Sequence, residues 1–158
     1  MKCDAKRFAQ MYETIYTDLY RYALCLMKNP HEAEDAVSEA VISAYENIHK
    51  LRKEEAFKSW IFTILSNICK KRLMRLANDP GNVEEESLFS PEVLEMDYGL
   101  ALDVRNAFFV LSKEEQMIVG LSVFGGYNSK EIGEALHLKA GTVRSKRSRA
   151  LAKMGCVL

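Results

Sequence analysis

Apolar side chains recur at every third or fourth position through the first half of the chain, which is the spacing of one face of an α-helix. This pattern predicts three helices, over residues 5–27, roughly 31–48 and about 56–76. Asn29 and Pro30 separate the first two, because proline cannot continue a helix. Neither strand-like alternation nor an internal repeat is evident in the sequence, so the predicted fold class is all-α.

The last third of the chain shows the same periodicity in shorter segments. A helix is predicted near residues 98–110, and Ser112 and Asn128 each precede a glutamate by three residues, as in the capping box that opens a helix. A final helix is predicted from about Gly141. Two short helices with a tight turn between them, the second one basic, have the pattern of a helix-turn-helix.

Residues 78–97 separate these two regions and differ from both in composition. The segment holds two of the three prolines, seven acidic side chains and no basic one. Its Asn-Asp-Pro-Gly start favours a turn, and its three consecutive glutamates repel one another. The prediction is two small helical domains, residues 1–77 and 98–158, joined by a partly flexible acidic linker.

Charge is distributed unevenly along the 158 residues, although 22 basic and 22 acidic side chains leave no formal net charge. Residues 1–77 carry 13 basic and 10 acidic side chains, and residues 98–158 carry 9 and 5. Two mildly basic blocks therefore flank the acidic linker. This arrangement predicts different faces for partners of different charge.

The composition disfavours several classes of protein. No stretch approaches the roughly 20 apolar residues that span a bilayer, and no signal peptide is evident, so a cytoplasmic protein without membrane insertion is expected. The four cysteines lack the C-x-x-C spacing of a zinc or redox site, and the three histidines fall in separate predicted loops. Catalytic residues, a metal, a cofactor and a small-molecule substrate are therefore not predicted.

The predicted final helix is the most basic part of the chain, with five cations from Arg144 to Lys153. An exposed face of this kind suits the major groove of DNA, where Arg and Lys meet guanine edges or phosphates. A basic helix end is also favoured by the helix dipole alone. The capped preceding helix and the tight turn favour DNA binding.

The third predicted helix places aromatic side chains, from Phe57 to Phe62, ahead of four cations, from Lys70 to Arg75. Proteins hold unstacked bases and single strands with aromatic rings beside cations. The alternative is that Trp60 belongs to an ordinary buried stripe, and from this segment alone that is the simpler interpretation.

The second predicted helix has an acidic face that includes Glu32, Asp35 and Glu39. Such a face is usually a solvated helix surface, and it also suits a basic partner. Catalysis by these carboxylates is not predicted, because no histidine, nucleophile or metal ligand accompanies them.

Three segments follow one another in a recognisable order. They are HEAEDAVSEAVISAY (31–45), KEEAFKSWIFTILSNICKKRLMR (53–75) and YNSKEIGEALHLKAGTVRSKRSRA (127–150). In this order, across an acidic linker, they resemble the extracytoplasmic-function (ECF) class of bacterial RNA polymerase sigma factors. In that family the first segment docks on core polymerase, the second melts and reads the −10 promoter element, and the third reads the −35 element.

The resemblance implies a non-enzymatic promoter-specificity subunit that binds core RNA polymerase and promoter DNA and is held by an anti-sigma factor. Residues 1–77 and 98–158 would be its region 2-like and region 4-like domains. The implied polymerase-binding residues are Glu32, Asp35, Ser38 and Glu39. The implied −10 DNA-binding residues are Lys50, Arg52, Lys53, Phe57, Lys58, Trp60, Lys70, Lys71, Arg72 and Arg75. The implied −35 DNA-binding residues are Lys139, Thr142, Arg144, Ser145, Lys146 and Arg149.

Three positions depart from the family pattern in the helix-turn-helix. Arg147 stands where an apolar residue is expected, so its side chain has to snorkel or find a partner. His137 stands where the family has a turn glycine, and histidine tolerates positive φ better than most residues. Lys139 stands where a helix-capping serine is usual.

Two rival functions remain open at this point. A conventional helix-turn-helix regulator would bind duplex DNA as a dimer, and a heptad seam or ligand domain would favour it. An enzyme with a fused DNA-reading tail would need a catalytic set. The sequence shows neither feature.

Overall fold

The structure is a computed structural model that describes residues 4–78 and 102–157. Every regular element within those two ranges is a helix, which confirms the all-α class. The chain divides into two compact units, Met1–Glu85 and Glu86–Leu158, as expected for two helical domains. The predicted linker, residues 78–97, lies outside the described residues except for its first position, so its bounds stay a prediction.

Three long helices build the first unit: α1 (Ala5–Met27), α2 (Pro30–Glu46) and α3 (Phe57–Ala77). α1 ends at Lys28, which adopts the left-handed conformation with φ 57°. The side chain of Asn29 then accepts hydrogen bonds from the first backbone N–H groups of α2, and Pro30 occupies its first turn. The predicted break between the first two helices is therefore confirmed, but α1 ends at the left-handed Lys28, and Asn29 and Pro30 open α2.

The connection from α2 to α3 consists of two 3₁₀ turns, Ile48–Lys50 and Glu54–Ala56. The second helix consequently ends at Glu46, slightly before the predicted position. The basic residues between these turns lie on the surface, while Ile48 and Leu51 anchor the connection to the core.

The core of the first unit lies where α1, α2 and α3 pack against one another. Leu19, Tyr22, Ile61 and Phe62 are fully buried there. The hydroxyls of Tyr22 and Ser66 share a hydrogen bond of 2.8 Å, which satisfies both polar groups away from water. α1 and α3 are thereby joined by a buried polar contact as well as by apolar packing.

Four helices build the described part of the second unit. They are α4 (Leu102–Phe109), α5 (Lys113–Val123), α6 (Ser129–Leu136) and α7 (Ala140–Val157). Both predicted capping boxes are present, at the starts of α5 and α6. α7 packs against each of the other three helices, with Val143 and Ala150 fully buried.

The turn between α6 and α7 is tight because two residues adopt special roles. His137 caps α6 in the left-handed conformation, with φ 60° and ψ 44°, as its position in place of the family's turn glycine suggested. The backbone N–H of Leu138 donates to the carbonyl of Gly133 at 2.8 Å. A Cβ on Gly133 would lie 2.5 Å from the Leu138 carbonyl oxygen, so glycine is required at this close approach. The predicted helix-turn-helix is confirmed.

Candidate nucleic-acid and protein interfaces

The acidic face of α2 is exposed and borders a shallow groove. This groove is lined by Asp35, Ser38, Glu39 and Ile42. They are the i, i+3, i+4 and i+7 positions of α2 and therefore share one face of the helix. Ile42 is 60% exposed, which is unusual for a large aliphatic side chain. The groove therefore combines carboxylates with an apolar contact point. Its complete lining is Asp35, Ser38, Glu39, Ile42, Ser43, Glu46 and Arg72.

Arg72 is a predicted −10 contact, but the structure places it in this α2 groove. Its guanidinium donates to Glu39 Oε2 at 2.9 Å and to Glu32 Oε2 at 3.1 Å. Burial lowers the pKa of Arg72, but the hydrogen bonds to Glu39 and Glu32 outweigh that effect, so its pKa is raised. Arg72 thus contacts two predicted polymerase-binding residues, whereas Lys70, Lys71 and Arg75 are exposed.

The start of α3 separates two aromatic residues that the sequence grouped together. Phe57 is only 4% exposed and packs edge-on against Phe8, with ring centroids 5.6 Å apart. It would have to leave the core to stack on a base, so its burial disfavours the predicted −10 contact. Trp60 remains partly exposed, with its ring 6.3 Å from that of Phe57. Trp60 is therefore not a fully buried core residue, which the sequence pattern alone had favoured.

The cations predicted to contact the −10 element lie before α3 and at both ends of it. Lys50, Arg52 and Lys53 are exposed on the connection before α3. Lys58 lies 3.5 Å from a carboxylate oxygen of Asp18, so part of its charge is neutralised. Towards the other end of α3, the exposed cations are Lys70, Lys71 and Arg75.

One face of α3 carries both an aromatic and a basic side chain. Trp60, Ile64, Asn67 and Lys71 are spaced by three or four residues and so follow one line along the helix. All four are at least partly exposed. This face, which we call the α3 outer face, is therefore a mixed aromatic, apolar and basic surface.

The outward face of α7 has a different character. Arg144, Ser145 and Arg149 are exposed, whereas Val143 and Ala150 point into the core. Thr142 is partly exposed in the first turn of α7, and Lys139 is exposed at the turn before it. These five predicted −35 residues lie on or beside the second helix of the helix-turn-helix.

Lys146, the sixth predicted −35 residue, lies on the flank of α7 and forms an ion pair with Glu114 of α5. Two helical turns further along α7, Lys153 pairs with Glu115 at 2.9 Å. Hydrogen bonding from the Ser112 backbone, helped by Lys153, lowers the pKa of Glu115 although burial opposes it. The sequence predicted Ser112 and Glu115 as a capping box, but not their proximity to α7.

The part of the chain that the structure describes lacks several other kinds of site. It contains no cluster of three or more His, Cys, Asp or Glu side chains able to hold a metal ion. The described cysteines, Cys25, Cys69 and Cys156, form no disulfide. No described helix is long and apolar enough to cross a membrane.

Comparison with known families assigns both units. Residues 11–78 match the model of Sigma-70 region 2, and residues 102–154 match that of Sigma-70 region 4. The curated proteins most similar in sequence include many ECF RNA polymerase sigma factors. The chain belongs to the ECF class of the sigma-70 family.

Two relatives illustrate the similarity. SigM of Mycobacterium tuberculosis is 26% identical over 98% of this chain and 79% of its own length. SigW of Bacillus subtilis is 25% identical over 94% of this chain and 87% of its own length. Both relatives are described as ECF RNA polymerase sigma factors.

A solved structure shares the fold. It is the sigma factor RpoE of Bartonella quintana in complex with the anti-sigma factor NepR, with a TM-score of 0.77 and 23% identity, covering 97% of each chain. In sigma-factor terms, the α2 groove and the α3 outer face belong to region 2. The helix-turn-helix of α6 and α7 belongs to region 4.

Proposed function

We propose that this protein directs core RNA polymerase to promoters by using three surfaces, one for the polymerase and two for DNA. The observation that carries the proposal is the order of those surfaces in a chain that matches sigma regions 2 and 4. The chemistry of RNA synthesis belongs to the polymerase, and we assign no catalytic step to this chain. Its action is in the cytoplasm, where transcription takes place.

The proposed polymerase contact is the α2 groove. Glu32, Asp35 and Glu39 supply negative charge, Ser38 supplies a hydroxyl, and exposed Ile42 supplies apolar area. A basic protein surface with an apolar pocket would complement all three features, since charge steers association and apolar burial stabilises the complex.

The proposed −10 contact is the α3 outer face with the basic connection that precedes it. Extruding a base from duplex DNA costs a few kcal/mol, which stacking on an aromatic ring and contacts to phosphates can offset. Trp60 is the partly exposed ring of this face. The exposed cations of the proposed contact are Lys50, Arg52 and Lys53 on the connection and Lys70, Lys71 and Arg75 on α3.

The proposed −35 contact is the outward face of α7. Arginine binds guanine O6 and N7 in a bidentate manner, and Arg144 and Arg149 are the exposed arginines of that face. Lys139 and Thr142, near the start of α7, are assigned to phosphates, as is usual for residues that set the position of a recognition helix.

An anti-sigma factor is proposed as a regulatory partner. The solved structure with the same fold is a complex of a sigma factor with an anti-sigma factor, and it supports such a partner for this chain. Its identity would follow from copurification with the tagged chain.

The decisive experiment is reconstitution of promoter-dependent transcription with purified core polymerase. The wild-type chain should copurify with core and confer initiation at a matched promoter. Asp35→Lys combined with Glu39→Lys should abolish copurification while the helical circular dichroism is kept. The matched control is Glu13→Lys combined with Glu34→Lys, which reverses two exposed charges outside the α2 groove.

Binding to duplex promoter DNA with no dependence on core polymerase would instead support a conventional regulator. Copurification of the Asp35→Lys/Glu39→Lys variant at the wild-type level would remove the α2 groove from the proposal.

A further inference from the structure

Arg72 joins α2 to α3 through two carboxylates, although it belongs by sequence to a run of cations on α3. Its Nη1 lies 3.1 Å from Glu32 Oε2, and its Nη2 and Nε lie 2.9 and 3.2 Å from Glu39 Oε2. The other cations of this run, Lys70, Lys71 and Arg75, are exposed.

The burial of Arg72 separates it further from those cations. Its side chain is 17% exposed, and it lines the α2 groove beside Asp35 and Ser38. To bind a DNA phosphate, Arg72 would have to break charge-assisted hydrogen bonds to two carboxylates, which are stronger than neutral hydrogen bonds. Among the described residues, no carboxylate forms a hydrogen bond or ion pair with Lys71 or Arg75.

Glu39 is held at one oxygen and exposed at the same time. Both hydrogen bonds that Arg72 donates to Glu39 end on Oε2, and no contact to Oε1 is found among the described residues. The Glu39 side chain is 56% exposed. The guanidinium therefore restricts the carboxylate while one oxygen stays available to a donor from outside.

We propose that Arg72 is a positioning residue of the polymerase-docking surface, which holds Glu39 in the orientation that core polymerase binds. This inference rests on the proposed function, because it assumes that the α2 groove is the docking surface. A planar guanidinium bridges two carboxylates, whereas the point charge of a lysine ammonium does not reproduce that geometry. A preordered Glu39 loses less side-chain entropy on binding than a mobile one.

The test is a double-mutant cycle on affinity for core polymerase, measured with the full chain. Arg72→Gln and Glu39→Gln should each weaken binding by about tenfold, the order expected for a charged hydrogen bond at an interface. The double variant should be no weaker than either single variant, because Arg72 acts through Glu39. Arg72→Lys should restore only part of the loss.

A second readout separates docking from DNA contact. With core polymerase saturated by the variant, Arg72→Gln should leave permanganate-detected promoter opening at the wild-type level. Arg75→Gln, which removes an exposed cation one turn away on the same helix, should show the reverse: normal affinity for core and reduced opening. A melting curve is recorded for each variant, and binding is measured well below the melting range. A loss of binding or opening then cannot result from unfolding.

Three results would overturn the inference. Additive losses in the cycle would show that Arg72 acts independently of Glu39. Wild-type affinity for core with reduced promoter opening would return Arg72 to the DNA contacts. If Glu39→Gln left core affinity unchanged, the α2 groove would lose its docking role, and with it the proposed function would fail at that surface as well.

Discussion

α3 and α7 are both basic helices, but their exposed faces differ in kind. The α3 outer face carries Trp60 and Ile64 in line with Lys71. The outward face of α7 alternates arginines with small side chains, which are Gly141, Ser145, Ser148 and Ala152. Both faces attract a polyanion, so charge alone does not distinguish them.

The difference lies in what the side chains between the cations permit. An exposed ring can stack on an unpaired base but hinders the close approach of a helix to a groove. Small side chains allow a helix to enter the major groove, where its arginines reach base edges. We therefore expect α3 to act on opened DNA and α7 on the duplex.

The two helices also share a feature. On each, carboxylates from neighbouring helices engage two cations, which are Lys58 and Arg72 on α3 and Lys146 and Lys153 on α7. The number of cations on these two helices therefore exceeds the number that we expect to face DNA.

The largest expected effect is that of Trp60 on promoter opening. Trp60→Ala should lower permanganate-detected opening by about ten- to a hundredfold, since stacking on a base is worth about 1–3 kcal/mol. Formation of the closed complex should change little. Trp60→Phe is the control and should retain most of the opening, because it keeps an aromatic ring. Equal losses at both steps would return Trp60 to a packing role and remove the contrast with α7.

The next expected effect concerns sequence reading by α7. Arg144→Ala should cost about 1–3 kcal/mol of discrimination at one −35 base pair. Arg149→Ala is the comparison variant. It should weaken binding to matched and mismatched sites alike, and it should lower the salt dependence of binding by the amount expected for about one phosphate contact. Affinities for a set of singly substituted −35 duplexes provide the measurement. Uniform weakening by Arg144→Ala would reassign that residue to the backbone.

A smaller effect is expected at Lys139, which immediately precedes α7. The carbonyl of Lys139 accepts from the Val143 N–H at 3.0 Å, as a helix N-cap does, but its cationic side chain opposes the helix dipole. Lys139→Ser should stabilise the second unit by about 0.5–2 kcal/mol and weaken promoter binding by loss of a phosphate contact.

Hydrogen exchange of α7 amides in the full chain, with a salt titration of DNA binding, measures both effects of Lys139→Ser. Lys130→Ser is the control, since Lys130 is exposed at the start of the already capped α6. Greater protection with unchanged DNA affinity would leave Lys139 without a role in binding.

The smallest expected effect is a pH dependence carried by Glu115. Its pKa is lowered in the folded protein, so its carboxylate stabilises the second unit above the ordinary glutamate pKa of 4.5. That contribution is lost as the pH falls through the lowered value. At neutral pH, α5 and α7 amides should exchange faster in Glu115→Gln than in the wild type, and the two proteins should converge in acid. A difference that stays constant as the pH falls from neutral into acid would contradict this account.

Several local features of the fold and of the candidate sites were predictable, because neighbouring residues determine them. The capping boxes of Ser112 and Asn128 place the starts of α5 and α6, and both follow from the spacing of a few neighbouring residues. The left-handed conformation of His137 follows from its place at the end of a short helix before a tight turn. The exposed positions of Arg144 and Ser145 follow from the 3.6-residue period of α7.

The surroundings of other residues were not predictable, because their neighbours come from distant parts of the chain. Phe57 lies beside Trp60 in sequence, but packing against Phe8 of α1 takes it into the core. The periodicity of α3 did not distinguish the two rings. Ile42 was not singled out at all, because an apolar residue on a predicted helix is expected to be buried, and here it is exposed.

The amino-acid sequence by itself determined the helices, their caps, the helix-turn-helix and the three motifs that identify an ECF sigma factor. The helices and caps depend on interactions between residues within about one helical turn, and the motifs depend on residue order. Both can be recognised in the sequence without knowledge of the tertiary structure. Only the tertiary structure decided which cations are available to DNA. Arg72 meets Glu39 across 33 residues of sequence, and Lys146 meets Glu114 across 32. Such pairs form because packing of apolar faces brings two helices together, and no local pattern of charge encodes which side chains then meet.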